Sequence, residues 1–160
     1  MRKKKGIGLL CVAALFIFLA WPITSLNCPE WEVRVVDEDG QPLSGVLVRL
    51  DFMNYSAERE QHEADKRTDA DGYVKFPSET LTATRMKRAI VTLESAQAGV
   101  HASFGPHAYV FVFADGMEAD LTKGDYTPTW SGNGSKMQSR FVLSRKSSPA
   151  LQESRPGAPQ

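Results

Sequence analysis

Cysteine and histidine are scarce in this chain: two Cys and three His among 160 residues. Cys11 falls inside an apolar run, so Cys28 is the only thiol of the remainder, and no intrachain disulfide is available there. Cys28 is read as a free thiol, with pairing between chains as the alternative. Acylation is not expected at Cys28, because Asn27 stands where a lipid-attachment signal has a small residue. Also missing is a basic surface. Formal charge is zero, but Arg2, Lys3, Lys4 and Lys5 open the chain, and from Asn27 onward 15 basic residues face 19 acidic ones, a net of −4. Nucleic-acid binding needs clustered Lys and Arg to neutralise phosphates, so that class is excluded. The sequence has no internal repeat and no recognisable catalytic grouping of serine, cysteine or paired acids.

Charge is absent altogether between Lys5 and Glu30. A basic start followed by an apolar run of about 15 residues has the form of a secretory signal. Counted over residues 6–26 the run approaches the ~20 residues of a membrane-spanning helix, with Trp21 at its edge. Residues 1–27 are therefore expected to be a signal peptide or a signal anchor. Either way the following domain lies outside the cytoplasm, membrane-anchored in one case and secreted or periplasmic in the other.

Beyond Pro29 apolar and polar residues alternate in short segments, the period of half-buried strands. The expected strands cover 31–37, 45–52, 73–76, 89–94, 108–113 and 139–144. Val46, Val48, Leu50 and Phe52 share one face of the second and form the best candidate core. Segment 108–113 is apolar on both faces, which suits a central strand. Asp39-Gly40 and Asp71-Gly72 read as turns. Residues 54–66 read as an exposed polar loop, 115–135 as a long glycine-rich loop, and 147–160, with Pro149, Pro156 and Pro159, as a disordered tail. The fold class is all-β: a single antiparallel β-sandwich of about seven strands over 28–146, preceded by an apolar helix.

The pattern D-E-D-G-Q-P-L-S-G-V over 37–46, followed by T-D-A-D-G-Y-V-K-F over 68–76, resembles the carboxypeptidase regulatory-like domain family. That resemblance covers about 45 residues and implies a transthyretin-like (prealbumin-like) sandwich, commonly a non-catalytic module of exported proteins. The intradiol ring-cleavage dioxygenases, on a related sandwich, resemble the same pattern and hold ferric iron with two Tyr and a His-x-His pair. Here His107 has no second His at that spacing, so the resemblance does not carry the iron site. The Tyr-Arg-Gly-Ser ending of transthyretin-like hydrolases is also missing.

No cofactor or metal is expected. His62, His101 and His107 are too dispersed, and Asp37, Asp39, Asp69 and Asp71 have turn spacing rather than that of a calcium loop. Asn54 and Asn133 head glycosylation-type triplets. The residues expected to bind are Tyr126 and Trp130, aromatic side chains in the glycine-rich loop. The protein reads as a non-catalytic interaction module with a protein or glycan partner at the cell envelope. A carbohydrate-binding module using Trp130 and Tyr126 is the first alternative, and a metal-dependent dioxygenase-like enzyme the second.

Overall fold

The structure, a computed structural model, describes residues 2–120, 122–123 and 128–145. Helix α1 (Arg2–Ala20) is followed at once by β1 (Pro22–Cys28) and β2 (Glu30–Asp37). Then come β3 (Leu47–Asn54), β4 (His62–Arg67), β5 (Tyr73–Phe76) and β6 (Glu79–Thr84). Helix α2 (Arg85–Ala96) and a 3-10 turn (Gly99–His101) lead to β7 (Pro106–Phe113), β8 (Met117–Ala119), β9 (Thr129–Trp130) and β10 (Lys136–Arg145). Two four-stranded sheets, ordered β5-β2-β10-β8 and β4-β3-β7-β9, form the sandwich, and β1 pairs with β6 in a separate ribbon.

The core lies between the sheets and follows from alternation. In β2, Trp31, Val33 and Val35 are fully buried; in β3, Val48 and Leu50 are. Val74, Phe76, Ala108, Val110, Trp130, Phe141 and Leu143 complete the cluster, with Val46 and Phe52 packed against it. The expected apolar face of 45–52 is thus the core face. Removal from water stabilises the fold by roughly 1.5–3 kcal/mol for each of the larger members. The Trp31 indole N–H would be costly to bury unpaired, and it donates to Ser139 Oγ at 2.9 Å.

The two Asp-Gly turns have one construction. Asp37 Oδ1 accepts the amides of Asp39 and Gln41 (3.0 and 2.7 Å), and Asp69 Oδ1 accepts those of Asp71 and Tyr73 (3.0 and 2.8 Å). The turn chemistry expected of these residues is what their carboxylates do. The turns also interlock: Val35 donates to the Gly72 carbonyl, and Thr68 Oγ1 donates to the Leu43 carbonyl while accepting from Val46 N. Gly72 sits at φ +76°, and a Cβ there would stand 2.5 Å from the Val35 carbonyl oxygen.

Several expectations are corrected. Segment 89–94 is part of α2, not a strand. Ile90-Val91-Thr92 looks β-forming, but Thr84 caps the helix by accepting the Lys87 amide at 3.1 Å, and good helix formers surround the branched residues. Residues 62–66, read as loop, belong to β4, an edge strand whose charges look like loop in sequence. The sandwich is not wholly antiparallel, since β2 and β10 pair in parallel. The apolar helix stops at Ala20, and Pro22 to Leu26 pair with Thr84 to Thr80 of β6, so the folded part starts before residue 28. Among the described residues no helix is long and apolar enough to cross a membrane, so the spanning helix expected over 6–26 as one of two outcomes finds no support there. The tail 147–160 lies outside the described residues.

Cys28 belongs to the core, and burial, with a lesser contribution from Glu79, pushes its thiol up to about 12. It is neither on the surface for lipid attachment nor presented for pairing with a second copy. With a thiol-specific chromophoric reagent, only Cys11 is expected to react in the native protein, and Cys28 only after guanidinium unfolding. Gly72→Ala is expected to lower unfolding free energy by about 2 kcal/mol or more, measured by urea titration, from left-handed strain and the carbonyl clash.

Candidate functional site

Because Val48, Leu50, Ala108 and Val110 point inward, their neighbours on β3 and β7 form the outer face of that sheet. The register sets Leu47 opposite Phe113, Arg49 opposite Phe111, Asp51 opposite Tyr109, and Met53 opposite His107. Phe111 and Phe113 are 45% and 49% exposed, although β7 lies between β3 and β9. The apolar strip is bordered by neutralised charge. Arg49 makes a bidentate contact to Asp65 (both 2.8 Å) and a further one to Glu63 (2.9 Å), and its guanidinium lies over the Phe113 ring. Asp51 accepts from the Gln61 amide. Burial raises the Asp51 carboxyl above its ordinary range, opposed by the Gln61 hydrogen bond and reinforced by Glu63.

At one end of the face is a hollow of about 280 Å³ lined by Asp51, Tyr55, Gln61, His107, Tyr109 and Phe111 among others. Tyr55 meets His107 edge-on at 5.4 Å, and His107 stacks with Tyr109 at 6.5 Å. Burial, then the neighbouring Tyr109 and Asp51, raise the Tyr55 phenol. A buried polar node holds this end. Glu58 Oε1 accepts from Asn27 Nδ2 (2.9 Å) and the Asn54 amide (2.8 Å), while Glu58 Oε2 pairs with His62 Nε2 (2.8 Å). Tyr55 N donates to the Gly105 carbonyl and Gly105 N to Ser56 Oγ, which ties the turn to the start of β7. Asn54, 2% exposed, sits inside this node and is not presented as a glycan acceptor, whereas Asn133 is exposed.

The expected binding residues fall differently. Trp130 is 3% exposed, part of the core, and its indole N–H donates to the carbonyls of Asn133 (2.7 Å) and Gly134 (3.1 Å). Its ring covers the sandwich interior instead of facing a ligand, because pairing of Ala108 with Trp130 turns it inward. Tyr126 lies outside the described residues. The histidines are engaged separately: His62 with Glu58 and the Phe52 ring, and His107 with the Phe104 carbonyl at 3.1 Å. No group of three or more His, Cys, Asp or Glu is placed to hold a metal among the described residues. Phe111 and Phe113 were hidden in sequence by the reading of 108–113 as apolar on both faces. Alternation of small Ala108 and Val110 with large Tyr109, Phe111 and Phe113 is the signal that separates the two faces.

Fold and face together define a β-sandwich with an outward aromatic surface. The macroglobulin domain MG4 family matches residues 29–110, just over half of the sequence and including both Asp-Gly turns, and the chain belongs to that family. No curated protein matches it. Among solved structures, the crystal structure of 3-chlorocatechol 1,2-dioxygenase from Rhodococcus opacus 1CP is similar at a TM-score of 0.41 and 16% identity. The alignment covers 76% of this chain and 61% of that one, so the match spans about three-fifths of that enzyme's length. A likeness of that degree carries no argument about activity.

The Glu58 node has a defined pH signature. Burial raises the carboxyl, but hydrogen bonds from His62, Asn27 and the Asn54 amide outweigh it and leave the pKa lowered. A lowered folded-state pKa means that the stabilisation is present above the unfolded value of about 4.3 and is lost as pH falls through the folded value. Glu58→Gln is expected to cost about 1–3 kcal/mol at pH 7 and to flatten the decline of stability below about pH 4, measured by denaturant unfolding across pH.

Proposed function

We propose that this protein is a non-catalytic interaction module displayed outside the cytoplasm, and that it binds a protein partner through the outer face of the β4-β3-β7-β9 sheet. The observation that carries the reading is the exposed Phe111–Phe113 pair beside Leu47 and Met53, framed by charges already satisfied within the sheet. An apolar strip inside a polar rim is the anatomy of a protein interface, and contiguous exposed aromatics are costly on a surface meant only for water. Membership of the macroglobulin MG4 family supports a β-sandwich module without chemistry of its own, and macroglobulin domains occur in extracellular proteins. The basic start and apolar run at the N-terminus support export.

A photoreactive benzoylphenylalanine at position 111, irradiated in intact cells of the native host, tests this. The expected result is a discrete adduct to one protein, lost when Phe113→Asp is added and not formed from the probe at Lys87 on α2. Phe113→Asp should leave unfolding free energy within about 0.5 kcal/mol of the parent, since the side chain is outside the core. An adduct pattern identical from positions 111 and 87, or none from 111, overturns the proposal.

A further inference from the structure

The other sheet carries a feature that neither the core nor the aromatic face accounts for. The parallel pairing of β10 with β2 makes Arg140 the direct register partner of Arg34. Their sequence neighbours Val33, Val35, Ser139 and Phe141 are buried, so both arginines occupy the outer face. Adjacent strands are ~4.8 Å apart, and like charges directly opposite one another repel. Among the described residues Arg49, Arg59, Lys75, Lys123 and Lys136 each reach a carboxylate, and Lys66, Arg67, Arg85 and Arg88 donate to carbonyl or hydroxyl oxygens. Among the described residues neither Arg34 nor Arg140 does, and the Nε of each is buried without a hydrogen-bond partner. Arg34 instead stacks on the Tyr73 ring at 5.1 Å, which holds its guanidinium in place before any ligand arrives.

The two arginines line a hollow of about 380 Å³ with Glu32, Tyr73, Gln138 and Ser139. Glu32 does not neutralise them, because Lys75 holds its carboxylate at 2.6 Å. Holding two half-buried, repulsive cations side by side, with the Nε of each left unpartnered, is a local cost that a bound anion removes. We infer that this hollow is a carboxylate clamp: Arg34 and Arg140 grip a carboxylate of a partner protein, supplied by an Asp or Glu side group or by a free C-terminus. Guanidinium forks match a planar carboxylate in bidentate geometry. Two forks side by side suit the two coplanar oxygens of one carboxylate, for which a tetrahedral anion is the comparison. The site is on the opposite sheet from Phe111 and does not rest on the aromatic face.

The test follows the Nε–Hε nuclear resonances of arginine in the full-length protein, labelled with 15N-arginine and held in a nonionic detergent that shields α1. The probes are acetate, an amidated peptide with one Glu, a neutral peptide with a free C-terminus, and sulfate. Saturable shifts of Arg34 and Arg140 with acetate are expected, without a saturable shift at Arg67. Whichever peptide reproduces them more tightly identifies the source of the carboxylate. Arg34→Gln and Arg140→Gln should each weaken binding by about tenfold or more, read at the remaining arginine, with the amide spectrum otherwise preserved. If these variants do not fold, the parent titration decides alone. Shifts that drift with ionic strength alike at Arg34, Arg140 and Arg67, or tighter binding of sulfate than of carboxylate, overturn the inference.

Discussion

The two-residue alternation of β2, β3 and β7 is the constraint on which the rest of this molecule depends. A strand sends successive side chains to opposite faces, so burying Trp31, Val33 and Val35 obliges Glu32 and Arg34 to face out. Burying Val48 and Leu50 likewise exposes Leu47, Arg49 and Asp51, and burying Ala108 and Val110 exposes Tyr109, Phe111 and Phe113. A shift of one residue would exchange core and surface wholesale. The interlocked Asp-Gly turns hold the register: the Val35 carbonyl receives Leu43 N while its amide donates to Gly72, close enough that only glycine fits there.

The largest cluster of buried polar groups positions one end of the aromatic face. The Glu58 node collects Asn27 from β1, the Asn54 amide at the end of β3, and His62 from β4 around one carboxylate. It anchors the turn carrying Tyr55, which forms one wall of the hollow at the end of the aromatic face. Helix α2 rests on the same turn: Ser95 Oγ donates to the Tyr55 carbonyl at 2.6 Å, and Arg59 pairs with Glu94 at 2.7 Å. The sandwich thus presents two chemically unlike faces, one aromatic with its charges matched, the other with two unmatched arginines.

Much of the fold was legible in the residues. Strand positions at 31–37, 45–52, 73–76, 108–113 and 139–144, both Asp-Gly turns and the core face of Val46, Val48, Leu50 and Phe52 follow from alternation and turn chemistry. These are local signals, and local signals survive being read one segment at a time. Helix α2 was not legible, because its Ile-Val-Thr run favours a strand until the Thr84 cap and the contact with the 54–59 turn decide otherwise. Nor was β4, whose charged residues need only one neighbour, β3, to become a strand.

The candidate surfaces show the same division. Composition and alternation, taken alone, determined that this is a mildly acidic β-sandwich with its apolar run at the N-terminus. The fate of single aromatic and charged residues was decided by pairing between distant segments. Trp130 turned into the core because it pairs with Ala108, while Phe111 and Phe113 came to the surface. Arg34 met Arg140 only because β10 joins β2 in parallel at that register, across more than a hundred residues of sequence. Period and turn type are properties of neighbouring residues, whereas exposure and charge pairing belong to strands that meet only when the sheets close.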